Sequence, residues 1–216
     1  MNMLARFDAR YAAPVLGADE VGTGAWAGPV FVAAAVLPSD PEIIRALEIA
    51  GLTDSKQMTR GSRERLFLTM EECCVWYSVR SVSAKEIDTL GQGPCLDRLF
   101  EGVLYDALRG PCPKSLLIDG SPRSLPWNPT FLAKGDGLSL AIAAASVVAK
   151  VHRDRVMIEA SEKYPGYGFE AHVGYGTDLH AERLEEKGPC LLHRTSVRPV
   201  RRVIAARQQY LSAASE

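Results

Sequence analysis

The sequence is poor in the features that tie a chain to a membrane or to the outside of a cell. It has no run of about 18 apolar residues, the length a membrane-spanning helix needs. Its longest weakly polar stretch, Trp26 to Leu37, is short and broken by Gly28 and Pro29. The first residues include Arg6, Asp8 and Arg10 but no apolar signal core, so export is not expected and a cytoplasmic protein is. The five cysteines (Cys73, Cys74, Cys95, Cys112 and Cys190) are odd in number and form no CxxC pair. That pattern supports neither a disulfide framework nor a zinc site, and fits reduced thiols. The net charge of -1 gives no overall basic excess to advertise nucleic-acid binding. There is no HExxH, no Walker loop and no serine elbow. Gly22 and Gly24 do not begin a dinucleotide fingerprint, because Ala27 stands where the third glycine is needed.

What remains is an ordinary globular composition. Hydrophobic residues make up 47% of 216, enough for one sizeable core, alone or with an appendage. Residues 14–20 and Val30 to Leu37 read as strands, the second largely buried. Helices are expected after Pro41, over Arg63 to Cys73 and over Leu96 to Leu108, the last with one apolar stripe. Val75 to Ser83 alternates as a strand, and Leu116-Leu117-Ile118 is a short buried strand ending at Asp119-Gly120. The strongest helix runs from Leu138 to about Lys163, capped by Asp136 or Ser139 and stopped by Pro165-Gly166. Its apolar, small first half predicts close packing. Together these elements predict a mixed sheet covered by helices. After Pro165 the chain turns rich in Gly, Tyr, His and Arg, so residues 1–164 and 165–216 are read as a main domain and a small C-terminal region.

Acidic residues mark the edges of the strongest apolar elements. Asp19 and Glu20 end the first strand, Asp119 ends Leu116-Leu117-Ile118, and Asp136 precedes the long helix. Singly, each has a plain explanation as strand end, turn or helix cap. If the strands end on one side of a sheet, the carboxylates meet, and such a cluster needs cations. It suits two divalent ions about 4 Å apart acting on a phosphate without a protein nucleophile. Gly22 and Gly24 let a ligand come close to the backbone. From His193 to Arg207 there are five arginines and no acid, a tract that reads as a solvated helix face or as a phosphate contact.

In order along the chain, several segments resemble ribonuclease HII. They are Gly17-Ala18-Asp19-Glu20-Val21-Gly22-Thr23-Gly24, Ala27-Gly28-Pro29-Val30, Leu52-Thr53-Asp54-Ser55-Lys56, Ile118-Asp119-Gly120 and Lys134-Gly135-Asp136. Beyond these lie Ile142 to Val151 with Arg153-Asp154, Tyr164 to Phe169, Gly174-Tyr175-Gly176-Thr177, His180 and His193-Arg194. The resemblance spans roughly residues 15 to 203.

That resemblance implies an α/β, ribonuclease H-like fold: a mixed five-stranded sheet flanked by helices, with a small helical C-terminal region completing the substrate cleft. It implies a metal-dependent endonuclease that cuts the RNA strand of RNA–DNA hybrids 5′ to a ribonucleotide, leaving 3′-hydroxyl and 5′-phosphate ends, and removes ribonucleotides from DNA. Asp19, Glu20, Asp119 and Asp136 match the family's catalytic, metal-binding carboxylates, with Mg²⁺ or Mn²⁺ as the ions. Tyr175 matches the tyrosine at the RNA–DNA junction. Gly22, Thr23 and Gly24 are expected to reach the 2′-hydroxyl through backbone N–H groups, and Lys56, Lys150 and Arg194 to hold phosphates. His172, His180 and His193 are expected to be structural, because Mg²⁺ prefers oxygen. A monomer acting on hybrids, or on DNA duplexes containing ribonucleotides, is expected.

Three positions depart from the family pattern. Thr23 replaces the arginine of the usual glycine-arginine-glycine loop, Val173 the lysine before Gly-Tyr, and Val197 a late phenylalanine. Two lost cations predict weaker incision at a lone ribonucleotide than in a long hybrid. The alternative readings are a nucleic-acid-binding protein of this fold with weak or altered junction cleavage, and another two-metal phosphotransfer enzyme such as a DNA nuclease.

Overall fold

A computed structural model describes residues 3–52 and 58–213. The chain runs α1 (Met3–Asp8), β1 (Val15–Val21), β2 (Val30–Val36), α2 (Pro41–Ile49), α3 (Arg60–Glu72) and β3 (Trp76–Val82). It continues with α4 (Ala84–Leu90), α5 (Gln92–Arg109), β4 (Ser115–Asp119) and β5 (Thr130–Leu132). A 3-10 turn (Gly135–Gly137) leads into α6 (Leu140–Lys163), followed by α7 (Phe169–His172), α8 (Asp178–Lys187) and α9 (Arg198–Ala213).

The described strands form the expected mixed five-stranded sheet, and their order is β3-β2-β1-β4-β5. β1 pairs antiparallel with β2 and parallel with β4; β4 pairs parallel with β5. The composition explains the centre of the sheet. All seven residues of β2 (Val-Phe-Val-Ala-Ala-Ala-Val) are buried, which suits an inner strand covered on both faces. Gly17 has no room for a side chain, because a Cβ there would overlap the backbone of Ala141 and Ile142. The small residues of α6, Ala143 to Ala145, allow this close approach and are fully buried. A main cluster gathers Phe31, Leu47, Leu66, Phe67 and Met70 with Val147 and Val148 of α6. Each such side chain contributes about 1.5–3 kcal/mol through removal from water.

The chain divides into two compact units. One comprises Met1–Val21, Phe31–Ser81 and Leu96–His152; the other comprises Gly22–Val30, Val82–Cys95 and Arg153–Glu216. The division therefore falls within α6, and Gly22–Val30 packs with the C-terminal part rather than with the strands on either side of it. In that second unit Ala27, Met157, Tyr167 and Phe169 form one apolar cluster, and Leu184, Val200 and Val203 another. All five cysteines are free of disulfides.

Candidate metal centre and nucleic-acid interface

The first unit holds all four carboxylates singled out above. The parallel register of β1 and β4 pairs Ala18 with Ile118, so one residue further along Asp19, still inside β1, lies beside Asp119, the last residue of β4. Neighbouring strands are about 4.8 Å apart. Asp19 is 7% exposed, and burial pushes its carboxyl up to about 7. The charges of Asp119 and Glu20 push the same way, against hydrogen bonds from the Ser146 hydroxyl and the Glu20 N–H. The last of these is 2.8 Å long. Glu20 is also raised, first by burial and then by Asp119, with Arg123 opposing. Arg123 is itself fixed by Asp97 at 2.8 Å.

Asp136 arrives through the turn before α6. Gly135 donates its N–H to Asp119 Oδ1 at 2.7 Å, which ties this turn to the end of β4. A side chain at Gly135 would meet Ile142 Cδ1 at 2.7 Å and Leu132 Cβ at 3.1 Å, so the turn sits close against both. Ser139 caps α6 by accepting the Ile142 N–H at 3.2 Å, so capping falls to Ser139. Asp136 is 4% exposed. Asp8, from α1, accepts the Ala141 N–H at 2.9 Å and braces the same helix start.

Asp19, Glu20 and Asp119 form a set of mutually repelling oxygen donors in a partly dehydrated place, with Arg123 the cation that acts on Glu20. That donor set fits a hard divalent ion. Among the described residues no three Asp, Glu, His or Cys side chains are already gathered as a metal cage.

The second unit holds the remaining described candidates apart from Lys150, which lies partly buried on α6 in the first. Gly22 adopts φ +90°, and a side chain there would overlap Arg153. Gly24 is different: among the described residues a Cβ at Gly24 would meet nothing within 4 Å, so none of them demands glycine there. Trp26 N–H donates to Gly174 O at 2.8 Å and Arg194 N–H to Trp26 O at 2.8 Å, which lashes the loop to the segments around Tyr175 and Arg194. The Arg153 guanidinium lies 5.1 Å from the centre of the Tyr175 ring, and Tyr175 remains 36% exposed. Lys56 lies outside the described residues.

Arg194 departs from its expected role. It is 1% exposed, and its donors go to Gly28 O, at 3.0 and 2.8 Å, and to Thr23 O at 3.4 Å. The guanidinium is spent on backbone carbonyls, so it supports the loop from within and does not face a phosphate. The rest of the basic tract divides. Arg202 pairs with Glu185 at 2.7 Å, and Arg207 donates to the carbonyls of Glu185 and Glu186.

His172, His180 and His193 are structural, and the hydrogen-bond pattern assigns a tautomer to each. Gly174 N–H donates to His172 Nδ1 at 3.1 Å, so His172 Nε2 carries the proton and donates to Tyr167 O at 2.9 Å. Cys190 N–H donates to His193 Nδ1, so His193 Nε2 donates to His180 Nε2 at 3.1 Å. His180 Nδ1 then donates to Tyr175 O at 2.9 Å. Burial pushes both His180 and His193 down to about 4. The chain of rings thus holds the Tyr175 backbone without charge.

Sequence reasoning gave no role to Ser146 or Arg123, and read Arg153 and Asp154 as part of a second half of the long helix that emerges into solvent, whereas both are buried. Ser146 and Arg153 lie inside the quoted motifs, but their partners are set by tertiary packing.

The mixed sheet with helices and strand-end carboxylates places the chain in the ribonuclease H-like class. The structure matches ribonuclease H2 from Pyrococcus horikoshii OT3 with a TM-score of 0.70 and 28% identity, covering 90% of this chain and 98% of that one. A mutant of Bst-RNase HIII matches at 0.72 over 95% of this chain and 74% of that one; at 20% identity this is a likeness of fold alone. The family described as Ribonuclease HII matches residues 16–200. Ribonuclease HII of Xylella fastidiosa (strain M23) is 43% identical over 214 residues, 94% of this chain and 86% of that protein. That of Xanthobacter autotrophicus is 45% identical over 197 residues, 88% of this chain and 73% of that protein. The chain belongs to the ribonuclease HII family, hydrolases of the ribonuclease H class that act on RNA–DNA hybrids. This favours the endonuclease over the binding-protein alternative.

Proposed function

We propose that this ribonuclease H endonuclease cuts 5′ to a ribonucleotide, leaving 3′-hydroxyl and 5′-phosphate ends, with Asp19, Glu20, Asp119 and Asp136 as ligands of two Mg²⁺ or Mn²⁺ ions. The supporting observation is the pairing of β1 and β4 that sets Asp19 beside Asp119, with the Gly135 N–H binding Asp119 one residue before Asp136. When bound, such ions supply an activated water and neutralise the leaving oxygen. The residues prepare that role. Asp19 must be ionised to act as a ligand, and the Ser146 hydroxyl and the Glu20 N–H favour the ionised form. Arg123 favours the charged form of Glu20. Gly135 engages one oxygen of Asp119 and leaves the other for an ion.

In this reading the second unit recognises the ribonucleotide. Backbone N–H groups of Gly22, Thr23 and Gly24 meet the 2′-hydroxyl, the group that separates RNA from DNA. The Tyr175 ring packs on the neighbouring deoxyribose. Lys150 and Lys56 hold phosphates. The substrates are hybrids and DNA duplexes containing ribonucleotides, and the enzyme acts as a cytoplasmic monomer; among the described residues no helix is long and apolar enough to cross a membrane.

The test is cleavage of a duplex carrying one ribonucleotide, with Mg²⁺, Mn²⁺ or neither, beside an all-DNA duplex. Metal-dependent incision 5′ to the ribonucleotide, with the all-DNA duplex intact, is expected. Cutting of the all-DNA duplex, or cutting without metal, contradicts the proposal.

A further inference from the structure

Two guanidinium groups are buried in the second unit. Arg153 is 0% and Arg194 1% exposed. Burying a cation is costly unless its donors are used. Here the donors are used on one short stretch of backbone. Arg153 Nε donates to Pro29 O at 3.0 Å and Nη2 to Ala27 O at 3.3 Å. Arg194 engages Gly28 O with two nitrogens and Thr23 O with the third. Four carbonyls of the loop between β1 and β2 are thereby turned inward. The arrangement carries a cost. Burial first and the neighbouring Arg153 second push the Arg194 guanidinium down to about 10. Arg153 Nη1 is buried without a hydrogen-bond partner. Two like charges placed this way are poor devices for stability alone.

We infer that Arg153 and Arg194 are positioning residues that set the reading surface, the Gly24 N–H and the Tyr175 ring, before a ribonucleotide arrives. In a trans peptide the C=O and the following N–H point in opposite directions. Holding Thr23 O inward therefore aims the Gly24 N–H the other way, outward from the arginine. Arg153 does the equivalent for Tyr175: its guanidinium supports the ring by a cation–π contact at 5.1 Å. The same side chain fills the space a side chain at Gly22 would need. Lysine cannot replace either residue, because a point charge lacks the planar fork that reaches two carbonyls at once. Thr23 brings no side-chain cation to this surface, so its recognition rests on backbone and ring held from beneath.

This inference rests on the proposed reading of the ribonucleotide, so the experiment includes a readout that needs no substrate. In wild-type protein without metal or nucleic acid, the side-chain Nε–H groups of Arg153 and Arg194 should exchange with solvent far more slowly than those of the exposed Arg198 and Arg201. Exchange as fast as the exposed groups overturns the inference, even if no variant folds. In Arg194→Lys, the Gly24 amide order parameter should drop from about 0.85 to below about 0.6. In Arg194→Lys and in Arg153→Lys, the ratio of kcat/KM on a single-ribonucleotide duplex to that on a continuous hybrid should fall about tenfold, with Mn²⁺ affinity unchanged. An ordered Gly24 and equal losses on both substrates would assign the two arginines to folding only. If wild type does not incise the single-ribonucleotide duplex, the proposed reading fails, while arginine exchange and Gly24 order still decide the clamp.

Discussion

Gly135 donates its backbone N–H to the carboxylate of Asp119 at 2.7 Å, and this bond joins two acidic sites that lie 17 residues apart in the chain, Asp119 and Asp136. It fixes one oxygen of Asp119 and places the turn carrying Asp136 at the end of β4. Its first consequence concerns Asp119 itself. Asp119→Asn keeps an oxygen for the Gly135 N–H but removes the charge an ion needs. Turnover should fall by at least about 10²-fold, while duplex binding stays within a few-fold, because the lost charge acts mainly on the transition state. Gel-shift binding measured beside single-turnover cleavage checks this; unchanged turnover removes Asp119 from the site.

Ser146 offers a pH test of the same centre. Its hydroxyl favours ionised Asp19, whose carboxyl stands at about 7 in the metal-free fold. Asp19 is raised above its unfolded value, so its contribution to stability is complete below pH 3.8 and is lost as pH rises through about 7. Divalent ions reverse that loss, so the gain in melting temperature on adding Mg²⁺ should grow from pH 5 to pH 8. In Ser146→Ala the carboxyl rises further, and the pH at which half the Mg²⁺ gain appears should move upward. Thermal melts at several pH values, with and without Mg²⁺, show whether it does.

The histidine chain predicts the opposite pH dependence. His180 and His193 are held at about 4, below their unfolded value of 6.5, so unfolded chains take up protons first as the medium turns acidic. Their share of stability is present above pH 6.5 and is lost between pH 6.5 and 4. Urea midpoints should fall over that range, and His180→Phe should lower stability overall while flattening the dependence. An equal slope in the variant would clear His180 of the effect.

Thr23 provides a gain-of-function test. Thr23→Arg restores a cation beside Gly24, and should raise kcat/KM on the single-ribonucleotide duplex several-fold and by less on a long hybrid. Steady-state assays on both substrates measure the difference; no gain on either means the missing arginine is not what limits junction incision.

Much of the centre was legible because apolar runs end abruptly in acids. Val15 to Ala18 before Asp19-Glu20, and Leu116 to Ile118 before Asp119, announce two strands that pair in parallel, although β1 runs on through Asp19 and Glu20 to Val21 rather than ending at them. The small residues of α6 announced its packing, and Gly17 shows how close that packing is. Other parts gave no such signal. β5 is three residues long with Thr130 exposed, too short for alternation to show. Gly91-Gln92-Gly93-Pro94 has the composition of a loop, yet Gly91 ends α4 at φ 84° and α5 begins at once with Gln92. Arg194 sat in a basic tract that read as surface or phosphate contact, and only tertiary packing shows its guanidinium turned onto carbonyls. Arg123 was illegible for the same reason, and the charged second half of α6 misled for Arg153, which read as solvent-facing but is fully buried, because charge along a helix does not say which residues tertiary packing covers.

The central claim is that Asp19, Glu20, Asp119 and Asp136 hold divalent ions together. Anomalous diffraction from crystals grown with Mn²⁺ tests it directly. The account predicts manganese peaks within bonding distance of oxygens from Asp19 and Asp119, with Glu20 and Asp136 completing the ligand set. Peaks elsewhere, or none at the ends of β1 and β4 in crystals of active enzyme, would contradict it.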